Sequence, residues 1–276
     1  MQYWQTARFR IDLSRPRVMA IVNVTPDSFS DGGRYAETRA AIAECERLVT
    51  QGADILDIGG ESSRPGAAPL PLDEELARVM PVLNAALGLG VPVSIDTYKP
   101  EVMRAVLDAG ADIVNDIQAL GRPGAIETVA AHRLAGICLM HMQGAPSTMQ
   151  QRPAYDDVVD EVSAFLRERR DALRDQGIAA DRITLDPGIG FGKTPEHNLA
   201  LLVRQRELLA LGQPLLVGWS RKSTLGAITG RPVEQRLAAS LAAALAAVQG
   251  GARIVRVHDV AETVDALKVW QAAGQV

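Results

Sequence analysis

Eight times along this chain a short, almost wholly apolar run gives way to a polar loop and then to a stretch with helical spacing. The runs are Val18–Val22, Ile55–Ile58, Pro92–Ile95, Asp112–Val114, Ile137–Met140, Ile183–Leu185, Leu215–Val217 and Arg253–Val257. Near-continuous apolar runs suit parallel strands buried on both faces. Between them, apolar residues recur at three- and four-residue steps: Leu76, Val79, Met80, Leu83 and Leu87; Val158, Val162, Phe165 and Leu166; Leu237, Leu241, Leu245 and Val248. One junction also repeats. Gly-Ala-Asp-Ile at 52–55 and 110–113 and Gly-Ala-Arg-Ile at 251–254 each read as a glycine helix cap leading into a strand. Eight βα units in 276 residues predict an α/β chain folded as a (β/α)8 TIM barrel, one domain with the barrel over about 17–275. Residues 3–13 alternate weakly through Trp4, Phe9, Ile11 and Leu13, and predict a short N-terminal β-hairpin that closes the barrel's N-terminal end.

Bulk properties exclude several classes. Apolar residues are 47% and charged residues 22%, which is a globular composition. A net charge of -4 argues against a general nucleic-acid or membrane surface, so any anion site must be local. Cys45 and Cys138 are far apart, and read as buried thiols rather than a disulfide. The N-terminus MQYWQTARFR lacks a signal-peptide core, and no apolar run approaches a membrane span, so a cytoplasmic protein is expected.

The longest loops follow the first, second and fifth runs, as PDSFSDGGRY, ESSRPGAAPLP and HMQGAPSTMQQRP, where barrel enzymes place their chemistry. Polar residues stand at every run's C-terminal end: Asn23; Asp57 and Glu61–Gly66; Asp96; Asn115 and Asp116; His141; Asp186; Ser220–Ser223; Arg256 and His258. One such residue could be a helix cap, but eight around one mouth define a site. Asp96, Asn115, Asp186 and Lys222 suit the edge of a flat heterocycle that carries an amino group, a ring N–H and a ring carbonyl. Asn23, Ser63, Arg64, Arg256 and His258 suit a phosphate or diphosphate. Asp57 and Glu61 read as supporting or loop-anchoring acids. His132 and His197 read as surface helix residues, and His141 as a loop-shaping one. Four His and two Cys, scattered as they are, give no zinc site. GIGFGK lacks the spacing of a nucleotide phosphate loop.

NVTPDSFSDGG (23–33), GGESSRPGA (59–67), DPGIGFGK (186–193), GWSRKS (218–223) and RVHDV (256–260) resemble the motifs of the dihydropteroate synthases, in order and from about residue 17 to 270. The resemblance implies a (β/α)8 barrel, usually a homodimer. It would join p-aminobenzoate to 6-hydroxymethyl-7,8-dihydropterin diphosphate with Mg²⁺ and release pyrophosphate; sulfonamides would compete with the aminobenzoate. It implies that Asp96, Asn115, Asp186 and Lys222 hold the pterin with Arg256 against its ring, and that Asn23 ligates Mg²⁺. Ser63, Arg64, Arg256 and His258 would contact the diphosphate or the closing loop, and Ser63, Pro65, Phe191, Lys222 and Ser223 would border the aminobenzoate. Loops 24–35 and 61–70 would close over the reactants. Ser63 stands where the family commonly has Thr, keeping the hydroxyl and losing a methyl. Trp219 could pack near the pterin or form barrel wall. Two other readings share the barrel and the acid–amide edge: a methyltransferase moving a methyl group from a reduced folate to a corrinoid protein, and a catalytically silent pterin-binding protein. The SRKS and RVH strings weigh against both.

Overall fold

The computed structural model describes residues 3–24, 33–64 and 66–274. A hairpin of β1 (Tyr3–Gln5) and β2 (Arg10–Asp12) comes first. Then each of the eight apolar runs forms a strand: β3 (Arg17–Asn23), β4 (Ile55–Gly59), β5 (Val93–Asp96), β6 (Ile113–Asp116), β7 (Gly136–Met140), β8 (Ile183–Asp186), β9 (Leu216–Val217) and β10 (Ile254–Val257). Their order is β8-β7-β6-β5-β4-β3-β10-β9, with parallel neighbours throughout. A parallel bridge from Leu185 to Leu215, with the Leu185 N–H donating to Pro214 O at 3.0 Å, joins the two ends and closes the barrel.

The outer ring is α1 (Gly33–Thr50), α2 (Leu72–Ala86), α3 (Pro100–Asp108), α4 (Ala125–Ala131), α5 (Val158–Asp175), α6 (Pro195–Val203), α7 (Gln205–Leu208), α8 (Ser223–Thr229), α9 (Leu237–Gln249) and α10 (Val260–Ala272). The repeated Gly-Ala junctions are Schellman caps. Gly52, Gly110 and Gly251 have φ near +100°, at 97°, 106° and 102°. In each, the alanine N–H reaches back five residues (Ala53 to Leu48, Ala111 to Val106, Ala252 to Ala247) and the glycine N–H three. The sequence repeat is therefore one backbone device used three times to turn a helix back into the barrel. His132 and His197 serve helices too: His132 bonds Asp108, and His197 completes the capping box of α6 with Thr194.

Strand pleating divides the barrel interior into layers. The lower inward residues Met19, Ile55, Ile113, Cys138, Leu216 and Ile254 form one apolar cluster with Trp4, Ile11 and Leu13 of the hairpin region. The hairpin thus plugs the barrel floor, and Trp4 is pinned there by its Nε1–H donating to Arg182 O at 2.9 Å. Two residues further along each strand, on the same face, stand Ile21, Asp57, Asp96, Asn115, Met140, Asp186, Gly218 and Arg256. The outward residues pack under the helices in the main core, which explains why the strands read as unbroken apolar runs. Cys45 and Cys138 are buried free thiols.

Candidate active site

The second inward layer is the floor of a cavity of about 620 Å³ at the C-terminal mouth of the barrel. Of the site residues expected from the sequence and described in the structure, Asn23, Ser63, Arg64, Asp96, Asn115, Asp186, Phe191, Lys222, Ser223, Arg256 and His258 line it, and the strand-end residues Asp57, Asp116 and His141 do not. Pro65 and most of the loop after β3 lie outside the described residues. Asp116 corrects an expectation. It neighbours Asn115, so the pleat turns it away from the cavity, where its carboxylate accepts the N–H groups of Gln118 (2.7 Å) and Leu120 (2.8 Å). That caps a turn in which Ala119 and Leu120 both have positive φ, 50° and 55°. Trp219 is barrel wall: it is buried in the main core and does not line the cavity.

Charge is concentrated on the floor. Arg256 donates through Nε to Asp57 Oδ2 at 2.6 Å and through Nη2 to Asp96 Oδ2 at 2.9 Å. Asn115 Nδ2 donates to the same Asp57 oxygen at 3.1 Å. Asp57 is fully buried, so it supports this group from beneath and leaves Asp96 and the Asn115 carbonyl toward the cavity. Burial pushes the Asp96 carboxyl up, and the Arg256 charge restrains it. Burial also raises Asp186 to about 6, against the lowering bond from the Gly188 N–H. The Lys222 ammonium is pushed down to about 8 by burial and then by Arg256, with Asp186 and Asp96 opposing. Its Nζ lies 4.2 Å from the centre of the Phe191 ring, within cation–π range.

Asp186 hangs at the head of a turn whose three alternating glycines are required. Gly188, Gly190 and Gly192 have φ of 69°, 81° and 61°. A Cβ on Gly188 would fall 1.8 Å from His141 O, and one on Gly192 would fall 2.5 Å from Gln143 O. The turn presses against the loop after β7, and only glycine permits that approach.

At the upper rim, His258 Nδ1 lies 3.0 Å from Ser220 Oγ, which also accepts the His258 N–H at 3.2 Å. Placing the hydroxyl proton toward Nδ1 leaves an Nε2–H donor on the neutral ring. Burial, then Arg221 and Arg256, pushes His258 down to about 4, so at neutral pH it is a neutral donor and not a cation. The second loop roofs the site by docking on the fifth, with the Gly66 N–H donating to Pro146 O at 3.0 Å. Its base is held by Lys99, which bonds Glu61 and Glu75, each at 2.5 Å. Apolar walls come from Ile117, Met140, Met149 and Ile189. Sequence reading missed these, although Met140 occupies the same inward register as Asn115 and Asp186. Among the described residues no group of three or more His, Cys, Asp or Glu could hold a metal ion.

A barrel with this floor defines a pterin-binding enzyme: residues 19–258 match the family model for pterin binding enzymes, and the chain belongs to that family. Within it, the relatives are dihydropteroate synthases. The Neisseria meningitidis serogroup B dihydropteroate synthase is 53% identical, over 98% of this chain and 97% of its own. The solved Xanthomonas albilineans dihydropteroate synthase with 4-aminobenzoic acid superposes with a TM-score of 0.93 at 52% identity, covering 100% of this chain and 99% of its own. The Yersinia pestis enzyme in complex with a sulfonamide drug gives 0.93 at 45% identity, covering 99% and 100%.

Proposed function

We propose that this chain acts as one catalytic unit that condenses p-aminobenzoate with 6-hydroxymethyl-7,8-dihydropterin diphosphate, giving 7,8-dihydropteroate and pyrophosphate. The observation that carries this reading is the polar floor, in which Asp96, Asn115, Asp186 and Lys222 converge on one cavity beside a guanidinium. The pterin's amino and ring N–H groups would donate to Asp96, Asp186 and the Asn115 carbonyl, and Lys222 would donate to its ring carbonyl and nitrogen. Arg256, already held by two carboxylates, would face the ring and the diphosphate. Arg64, Ser63 and the His258 Nε2–H would take the diphosphate oxygens.

Bond breaking would be dissociative. As the methylene C–O bond lengthens, positive charge develops on the dihydropterin and negative charge on pyrophosphate. Asp96 and Asp186 would stabilise the first, Arg256 and Arg64 the second. The aniline nitrogen, a neutral nucleophile at pH 7, would then form the C–N bond and lose its proton to solvent. Ser63, Pro65, Phe191, Lys222 and Ser223 would border the aminobenzoate, and a sulfonamide would occupy the same place. Mg²⁺ fits this donor set as an ion carried chiefly by diphosphate and water, with Asn23 offering one amide oxygen at the cavity rim. When bound, it would neutralise charge on the leaving group.

Two further readings complete the proposal. A homodimer is supported by Leu199 and Val203 on α6 and Ile228 on α8, adjacent helices with exposed apolar side chains; sedimentation velocity checks it. Among the described residues no helix is long and apolar enough to cross a membrane, which is consistent with a cytoplasmic enzyme. The reaction is tested by incubating purified protein with the dihydropterin diphosphate, p-aminobenzoate and Mg²⁺. Dihydropteroate and pyrophosphate in equal amounts are expected, and absence of product would overturn the reading.

A further inference from the structure

Behind the cavity lies a buried cation that the reaction does not use. Lys193 is 3% exposed and His141 6%, and neither borders the cavity. The Lys193 ammonium contacts His141 Nδ1 at 2.8 Å, Gly188 O at 3.1 Å and Phe191 O at 3.1 Å. With His141 O at 3.5 Å as the most distant, the ammonium's three N–H donors are shared among four acceptors. All of these partners are neutral, so burying the charge is costly. Burial lowers the ammonium to about 7, with Asp186 opposing and Lys222 assisting. What an ammonium adds is three directed bonds.

Those bonds fall on the turn that carries the site. Gly188 O accepts from both Lys193 and the Phe191 N–H (3.0 Å), while the Gly188 N–H donates to Asp186 Oδ1 at 2.7 Å. Neighbouring side chains hold the rest of the turn: Gln150 donates to Gly190 O at 2.7 Å and Tyr155 to Gly192 O at 2.8 Å. His141 is itself fixed. Its N–H donates to Asp186 O at 3.0 Å, and its ring packs edge-on against Phe165 with centroids 4.9 Å apart.

We propose that Lys193 is a positioning residue: held by His141, its ammonium ties Gly188 to Phe191 and so sets the Asp186 carboxylate and the Phe191 ring together. One buried group would thereby couple the geometry of the two substrate subsites. This rests on the assignment of Asp186 to the pterin and Phe191 to the aminobenzoate.

The test is Lys193→Met, checked for folding by circular dichroism. Three quantities are read: affinity for 6-hydroxymethylpterin by equilibrium titration, KM for p-aminobenzoate, and backbone hydrogen exchange. Pterin affinity is expected to fall and the aminobenzoate KM to rise, each by about tenfold, the scale of a sub-ångström misplacement. Exchange should quicken at residues 188–191 while the strands stay protected. A folded variant with both constants within about twofold of wild type overturns the proposal, because a purely structural lysine would change melting alone. If Lys193→Met does not fold, His141→Phe removes the nearest of the four acceptors and keeps a ring against Phe165. It is expected to move both constants in the same direction by about threefold, and unchanged constants overturn the proposal. A wild-type protein that makes no dihydropteroate would instead sink the functional reading.

Discussion

Arg256 Nη2 and Asp96 Oδ2 stand 2.9 Å apart, although their strands β10 and β5 are three places apart around the barrel. The same guanidinium holds the fully buried Asp57 through Nε. Arg256→Gln therefore removes the cation from two carboxylates at once. The pair is mostly buried, and stability is expected to fall by about 2–3 kcal/mol in urea unfolding. The deficit should shrink as pH is lowered from about 9 to about 7, the value Asp96 has beside Arg256 and exceeds without it. Burial already raises Asp96 and Arg256 restrains it, so in the variant Asp96 takes up a proton more readily when folded than unfolded. A deficit that grows on acidification would contradict this.

The pH dependence of kcat/KM for the pterin substrate follows from three groups of the free enzyme in their proposed roles. Asp96, raised by burial, and Asp186, at about 6, must both be ionised to accept from the ring N–H groups. Lys222, at about 8, must be protonated to donate. The rate constant is expected to rise through about pH 6 to 7 and fall through about pH 8, giving a narrow bell. His258, at about 4, is neutral across that range and adds no limb. A profile that stays flat between about pH 5 and 9 would refute these roles.

Asp186→Asn tests the floor directly. Oδ1 is engaged by the Gly188 N–H at 2.7 Å, so the asparagine oxygen is expected to keep that bond. The amide NH₂ would then point into the cavity, a donor facing the pterin's donors. Binding of 6-hydroxymethylpterin should weaken by about 2–4 kcal/mol, with melting little changed. Wild-type affinity in calorimetric titration would show that this carboxylate does not hold the pterin.

Much of this site was legible because barrel strands encode it with period two. Ile55 and Asp57, Ile113 and Asn115, and Ile254 and Arg256 each pair a plug residue with a floor residue on one face. Asp116 misled because a strand-end acid looks the same in sequence whether it faces inward or, as here, caps a turn. Met140 was missed for the opposite reason: an inward thioether is indistinguishable from core until the register is known. The coupling of Lys193 to His141 joins residues 52 positions apart across adjoining strand ends, a contact that no local pattern announces. The glycines of DPGIGFGK were readable as a turn. That Gly188 must be glycine because His141 O lies where its Cβ would go is a tertiary fact.

Lys99 carries the last prediction, which concerns the loop over the site. Its Nζ bonds Glu61 Oε2 and Leu70 O, each at 2.5 Å, and so grips both ends of the second loop. It also bonds Glu75 on α2, which is 1% exposed and accepts from Thr97 as well. Tyr98 donates to the other oxygen of Glu61. Lys99→Met leaves two largely buried carboxylates without their cation, and about 3 kcal/mol of stability should be lost. The more diagnostic effect is local. With its ends released, the segment carrying Ser63 and Arg64 should be cut faster by protease while the barrel stays intact. The KM for p-aminobenzoate should rise while affinity for 6-hydroxymethylpterin, which lacks the diphosphate proposed to meet Ser63 and Arg64, stays near wild type, because the cavity floor does not include Lys99. Lys99→Arg keeps the charge and should restore most of the protease resistance. A matching loss of 6-hydroxymethylpterin affinity would mean that Lys99 acts on the whole barrel rather than on the loop.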